Sequence, residues 1–121
     1  MNIHTMNGKQ DHYEQVKKDV IRYGEVTLKG WKIRDTIQLL EGSNRMIAAI
    51  ELGVPITIVL VGDNTVVEHD DDETYSNTTR SWETATALEL AASLAYSQRR
   101  SDYAVYRAED YANITIIDHS K

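Results

Sequence analysis

Five consecutive residues, Glu41 to Arg45, combine features that can bind an anion. Gly42 has no side chain to block an approaching ligand. Ser43 and Asn44 can begin a helix, where unpaired N–H groups and about half a positive charge favour anions. Arg45 adds a planar set of donors that suits phosphate or carboxylate. We therefore predict a phosphate-binding loop from Gly42 to Arg45. The alternative interpretation is an ordinary strand-to-helix turn with a solvated arginine.

A second group of chemically capable residues is the acidic run Glu68–Glu73. Carboxylate oxygens of this kind bind Mg²⁺ or Mn²⁺, and such ions often bridge to substrate phosphates. Within the run, His69 and Asp70 are the candidate metal ligands, and His69 is also a candidate general base. The run lacks the glycine and the terminal glutamate of an EF-hand loop, so a solvated acidic loop is the alternative.

The loop is positioned by the elements on either side of it. Ile37 and Leu39 alternate with Gln38, which is typical of a strand. Ser43 is expected to cap a helix that continues to Leu52 and buries a face made of Met46, Ala49 and Ile50. Gly53 and Pro55 end the helix.

Residues 55–61 form the clearest predicted strand, since they are β-branched and nearly all apolar. We expect this strand to complete a β-α-β crossover with the strand and helix before it. The phosphate-binding loop would then lie at the carboxyl end of the first strand, as ligands do in open α/β sheets.

The stretch Leu39 to Ile56, with sequence LLEGSNRMIAAIELGVPI, resembles the central motif of the ParB/sulfiredoxin superfamily. That motif is an apolar strand, an acid-Gly-x-His/Arg-Arg loop, a helix containing Ala-Ala, then Leu-Gly and a strand that opens with Val-Pro. ParB-type proteins bind CTP, sulfiredoxin binds ATP, and relatives include a free-serine kinase and proteins described as nucleases. Asn44 replaces the usual His or Arg, and Ser43 replaces the catalytic cysteine of sulfiredoxin, so peroxiredoxin repair is excluded.

The resemblance implies a small α+β domain with a mixed sheet and flanking helices, and a bound nucleotide such as ATP or CTP with Mg²⁺. It makes Gly42, Ser43, Asn44 and Arg45 the phosphate-contacting residues. In enzymes of the superfamily an acid from the N-terminal region faces the nucleotide. Glu25 is the candidate for that role and Glu41 is the second candidate catalytic acid, although an exposed edge-strand glutamate is the alternative for Glu25.

The remaining elements are predicted from periodicity within one domain, residues 1–121. We expect a flexible lead-in over residues 1–10, an amphipathic helix from Asp11 to Tyr23, and a short strand over 25–28 that Lys29 and Gly30 end. Residues 31–35 form a link or another short strand. The longest predicted helix is 81–98, with a buried stripe of Trp82, Ala85, Leu88, Ala92 and Ala95. Strand character returns at 103–107 and 113–117, before a tail at 118–121.

Composition limits the possible functions. The net charge of −6 argues against non-specific binding to duplex DNA, which depends on basic side chains. The absence of cysteine and of any signal-like or membrane-spanning segment leads us to expect a cytoplasmic protein. Nucleotide binding, with possible hydrolysis or phosphoryl transfer in a DNA-related process, is the leading hypothesis. The alternative is a non-catalytic adaptor or inhibitor from a phage or mobile element that binds a host protein.

Overall fold

A mixed β-sheet with helices on both faces forms the protein, which we describe from a computed structural model over residues 1–6, 13–68, 84–98 and 103–120. In chain order the elements are β1 (Asn2–Met6), α1 (Tyr13–Tyr23), β2 (Val26–Ile33), β3 (Thr36–Leu39), α2 (Ser43–Leu52), β4 (Ile56–Val61), β5 (Val66–Glu68), β6 (Thr84–Thr86), α3 (Ala87–Gln98), β7 (Tyr103–Arg107), a 3-10 turn (Ala108–Asp110) and β8 (Ile114–His119). The prediction of a small α+β domain with a mixed sheet and flanking helices is confirmed.

The main sheet has the strand order β7-β1-β3-β2-β4-β8. Strand β2 is antiparallel to β3 and parallel to β4, so β3 and β4 run in opposite directions with β2 between them. The predicted β-α-β crossover is therefore wrong, because α2 joins two strands that are neither adjacent nor parallel. The parallel neighbour of β3 is instead β1.

Two hydrophobic clusters cover opposite faces of the sheet. Along β4, Ile56, Ile58 and Leu60 belong to the cluster that buries α1 and α2. Val61, on the other face, packs with α3 in the second cluster. Successive residues of a strand point to opposite faces, so one strand contributes to both cores. The buried residues of the second cluster are Leu40, Val61, Val67, Ala87, Leu90 and Ala91.

Helices α1 and α2 agree well with the sequence prediction. Tyr13, Val16 and Val20 are buried as their spacing predicted, whereas Tyr23, expected in the same stripe, is 72% exposed. Tyr23 lies at the last position of α1, directly before Gly24, whose φ of 75° turns the chain away. The predicted Asp11 cap lies outside the described residues.

Both ends of the chain are more ordered than the sequence suggested. The prediction of a flexible lead-in is wrong for residues 2–6, which form β1 between β3 and β7. The predicted tail is also wrong at its start, because β8 continues to His119 and pairs with Val61 of β4. Strand β1 and the last residues of β8 contain polar side chains, so the local pattern does not indicate a strand there. Pairing with distant strands forms them.

Gly30 was expected to end a short strand, and this prediction is wrong. Gly30 lies within β2, which continues to Ile33. A Cβ at this position would lie 2.8 Å from Cγ2 of Ile37 and 3.1 Å from Cγ2 of Ile58. Glycine is thus needed where side chains of the two neighbouring strands pack over the backbone. The turn comes later, at Arg34, whose φ is 54°.

Helix α3 begins later than predicted. A reciprocal capping box sets its start: Thr86 Oγ1 accepts a hydrogen bond from Glu89 N (3.3 Å), and Glu89 Oε1 accepts one from Thr86 N (3.2 Å). The predicted buried stripe is wrong at Leu88, which is 44% exposed, and at Ala92, which is also exposed. Trp82 lies outside the described residues. Among the described side chains of α3, those that pack inward are Ala87, Leu90, Ala91 and, in part, Leu94; the side chain of Ala95 lies outside them.

Among the described residues, none of the helices has the length and apolar character that a membrane span requires.

Candidate functional site

The predicted phosphate-binding loop connects β3 to α2. Gly42 is the residue before the helix and has a φ of 76°, a left-handed conformation that favours glycine. The first helical hydrogen bond runs from Met46 N to Gly42 O at 2.9 Å. Ser43 was expected to cap the helix, and this prediction is wrong, because Ser43 is the first helical residue and Gly42, which has no side chain, is at the cap position; in the described part of the chain no side chain caps α2. The N–H groups of the first turn are therefore free of side-chain caps.

Arg45 folds back over the loop that precedes it. A Cβ at Gly42 would lie 3.0 Å from Nη2 and 3.2 Å from Nε of Arg45, and 2.5 Å from Cδ2 of Leu28. Nη2 of Arg45 is also 4.0 Å from Oε1 of Glu41, with the two side chains 31% and 21% exposed. The guanidinium thus lies beside the uncapped helix end and remains partly accessible to solvent.

A threonine hydroxyl of β1 contacts the loop through a hydrogen bond. Thr5 of β1 is 1% exposed, and its Oγ1 donates a hydrogen bond to Ser43 Oγ at 2.8 Å. Sequence reasoning missed Thr5 because residues 1–10 were assigned to a flexible lead-in. The alternation of Ile3 and Thr5 with polar residues was the only signal of a strand there.

The loop lies at the carboxyl ends of two parallel neighbouring strands, β1 and β3. Thr5 and Gln38 are the two buried polar residues of the described chain, and both belong to this strand pair. Gln38 Nε2 donates to the carbonyls of His4 (3.3 Å) and Leu39 (3.0 Å). Buried polar groups are thus concentrated close to the start of α2.

The first turn of α2 also contains a buried side-chain oxygen, that of Asn44. Its Oδ1 is buried and has no hydrogen-bond partner within the described part of the chain. A buried acceptor without a donor costs roughly 1–3 kcal/mol. Within the described residues, no protein donor offsets that cost at the first turn of α2.

The two candidate catalytic acids are in different places. Glu41 directly precedes Gly42 and faces Arg45. Glu25 is exposed and directly precedes β2, and within the described residues it makes no hydrogen bond or ion pair with the loop. Because Lys29 O pairs with Leu40 N, Glu25 is four residues, or roughly 13 Å of extended strand, from that point. Only Glu41 is thus brought to the loop.

The candidate metal ligands His69 and Asp70 lie outside the described residues. Over the described ranges, no group of three or more histidine, cysteine, aspartate or glutamate side chains converges on a point that would hold a metal ion.

Comparison of the chain with family models, curated proteins and solved structures found no match.

Proposed function

We propose that this chain binds a nucleoside phosphate at the loop Gly42–Arg45, the function that its likeness to the ParB/sulfiredoxin motif implies. The observation that carries the proposal is the packing of the Arg45 guanidinium against Gly42, beside a helix start at which no side chain of the described residues forms a cap. This arrangement combines a partly exposed cation with the N–H groups that begin a helix. Phosphate oxygens are acceptors that suit both.

The charges around the loop determine how a phosphate would bind. Arg45 is paired loosely with Glu41 at 4.0 Å, a distance longer than a charge-assisted hydrogen bond. A fully ionised phosphate could accept two hydrogen bonds from the Arg45 guanidinium. These hydrogen bonds would be shorter than the present contact between Arg45 and Glu41 and would replace it. The partial exposure of both side chains allows that exchange without rearrangement of the core.

The proposal ends at binding. Among the described residues no group of three or more histidine, cysteine, aspartate or glutamate side chains converges, and Glu41 is the only candidate acid that they bring to the loop. We therefore include no hydrolysis or phosphoryl-transfer step, and Mg²⁺ enters only as the cation that accompanies a nucleotide. The cytoplasmic location expected from the sequence is part of the same proposal.

Thermal unfolding of the wild type and of Arg45→Ala in the presence of ATP, ADP, CTP or GTP, each with and without Mg²⁺, tests this function. A nucleotide at about a hundred times its dissociation constant stabilises the folded state by roughly 2.7 kcal/mol. We expect a shift of several degrees for the wild type and little for Arg45→Ala. Arg22→Ala is the matched control, because Arg22 is an exposed arginine on α1. No shift with any nucleotide would contradict the proposal.

A second candidate function is protein binding, as expected for an adaptor or inhibitor. It is favoured by the position of β8 at the end of the sheet, where no other strand of the described chain pairs with its outer side. Ile117 of this strand is exposed. Extended peptides often bind such edges by adding a strand. Absence of any nucleotide effect in the unfolding experiment would favour this function over the first.

A further inference from the structure

The hydroxyl pair Thr5–Ser43 joins the sheet to the proposed phosphate-binding loop. Thr5 is held in β1, which pairs with strands on both sides, and its side chain is buried. Its Oγ1 donates to Ser43 Oγ at 2.8 Å. Thr5 thus contacts the first residue of α2 from a strand that is paired on both sides.

The direction of this hydrogen bond determines what the Ser43 hydroxyl can do. A serine hydroxyl has one hydrogen and two acceptor positions. The Thr5 hydroxyl is buried, and Ser43 Oγ is its one hydrogen-bond partner among the described residues, so the hydrogen of Thr5 is donated to Ser43. The hydrogen of Ser43 must then be donated in another direction. Ser43 is partly exposed and opens the helix, beside the N–H groups that have no intrahelical partner. A phosphate oxygen at this helix end is a suitable acceptor.

We infer that Thr5 is a positioning residue of the loop, which fixes the Ser43 hydroxyl as a donor to a bound phosphate. The inference rests on the proposed function. Thr5 itself is buried and acts through Ser43. The ligand class is a nucleoside phosphate whose oxygens accept hydrogen bonds from Ser43 and Arg45 together.

A double-mutant cycle tests this role. Affinities for MgATP and MgCTP are measured by calorimetric titration for the wild type, Thr5→Val, Ser43→Ala and the double variant. One hydrogen bond corresponds to a loss of about 3–10-fold, which we expect for each single variant. Because the two hydroxyls act as one unit, the double variant should bind within about twofold of Ser43→Ala. Thr5→Ser retains the hydroxyl and should bind within about twofold of the wild type.

Two results would overturn the inference: a Thr5→Val variant that binds as tightly as the wild type, or one whose loss recurs in full on the Ser43→Ala background. A structural role alone predicts that second, additive result. Thr5→Ala makes the same comparison if Thr5→Val does not fold, as judged by circular dichroism. If the wild type binds neither nucleotide, the proposed function fails and this inference fails with it, before any variant is compared.

Discussion

The guanidinium of Arg45 lies so close to Gly42 that a Cβ at position 42 would be 3.0 Å from its Nη2. The same Cβ would be 2.5 Å from Cδ2 of Leu28, a side chain of the main core. Gly42 therefore serves two purposes: its left-handed backbone begins α2, and its missing side chain makes room for the arginine. The backbone conformation of the loop and the position of its cation are thus coupled through one residue.

Gly42→Ala should be strongly destabilising. The left-handed conformation costs a non-glycine residue about 1–2 kcal/mol, and the contact with Leu28 adds overpacking of a further 1–3 kcal/mol. Urea unfolding should therefore show a loss of roughly 2–5 kcal/mol. Gly53→Ala is the matched control, because Gly53 has a φ of 72° and nothing within 4 Å of its added Cβ. Equal losses in the free energy of unfolding of the two variants would show that the close packing at Gly42 does not contribute to the destabilisation.

Asn44→Ala should stabilise the ligand-free protein. The substitution removes a buried acceptor that has no partner in the described chain and introduces the best helix former. We expect an increase of about 1 kcal/mol in the free energy of unfolding, measured by urea denaturation. A decrease would mean that Oδ1 is satisfied in solution by a partner or a water molecule.

Tyr13→Phe tests how α1 is held on α2. Tyr13 donates to Glu51 Oε2 at 2.8 Å, and burial together with this carboxylate raises the pKa of the Tyr13 phenol. We expect a loss of about 1–2 kcal/mol at neutral pH. The pKa of Tyr13 is higher in the folded than in the unfolded state. Its contribution to the free energy of unfolding is therefore complete below the ordinary pKa of 10.0 and is lost as the pH rises above that value toward the folded-state pKa. The difference between variant and wild type should therefore shrink above pH 10.

Tyr23→Phe is the control for Tyr13→Phe, since Tyr23 is 72% exposed and lies at the end of the same helix. It should change the free energy of unfolding by less than about 0.5 kcal/mol. An equally large effect at Tyr23 would mean that the hydrogen bond to Glu51 is not the cause.

The capping box of α3 predicts a pH-dependent effect of Glu89→Gln. Hydrogen bonds from the Thr86 side chain and then from its backbone N–H hold the pKa of Glu89 below its ordinary value of 4.5. A lowered pKa means that the stabilisation is present above the ordinary value and is lost as the pH falls through the folded-state value. Glu89→Gln should therefore lower the thermal midpoint at pH 7 and match the wild type in strong acid. Glu25→Gln, which lacks such hydrogen bonds in the described chain, should show no comparable difference.

The sequence was sufficient for the elements that are stabilised locally. Helix α2 was predicted from its helix-forming residues and from Gly53 as the residue that ends it. The φ of 72° at Gly53 and the hydrogen bond from its N–H to Ala49 O confirm that helix end. Strand β4 was predicted from its β-branched run. In both cases neighbouring residues supply the signal, so local patterns were enough.

The sequence was insufficient where distant residues decide the structure. Strand β1 is polar and short, and it exists because β3 and β7 pair with it from far along the chain. Gly30 was taken for a turn because its packing partners, Ile37 and Ile58, come from other strands. The position of the loop between β3 and α2 could be predicted from the sequence. For the same reason as at Gly30, the contact of Thr5 with Ser43, across 38 positions, could not.

The central claim is that Arg45 and the loop at Gly42 bind a nucleoside phosphate. Isothermal titration of the wild type and Arg45→Ala with MgATP and MgCTP measures this directly. We predict saturable binding of at least one nucleotide to the wild type, and binding at least about tenfold weaker in the variant, because a charge-assisted hydrogen bond contributes roughly 1.5–3 kcal/mol. Equal affinities in two correctly folded proteins, or a wild type that binds neither nucleotide, would contradict the claim.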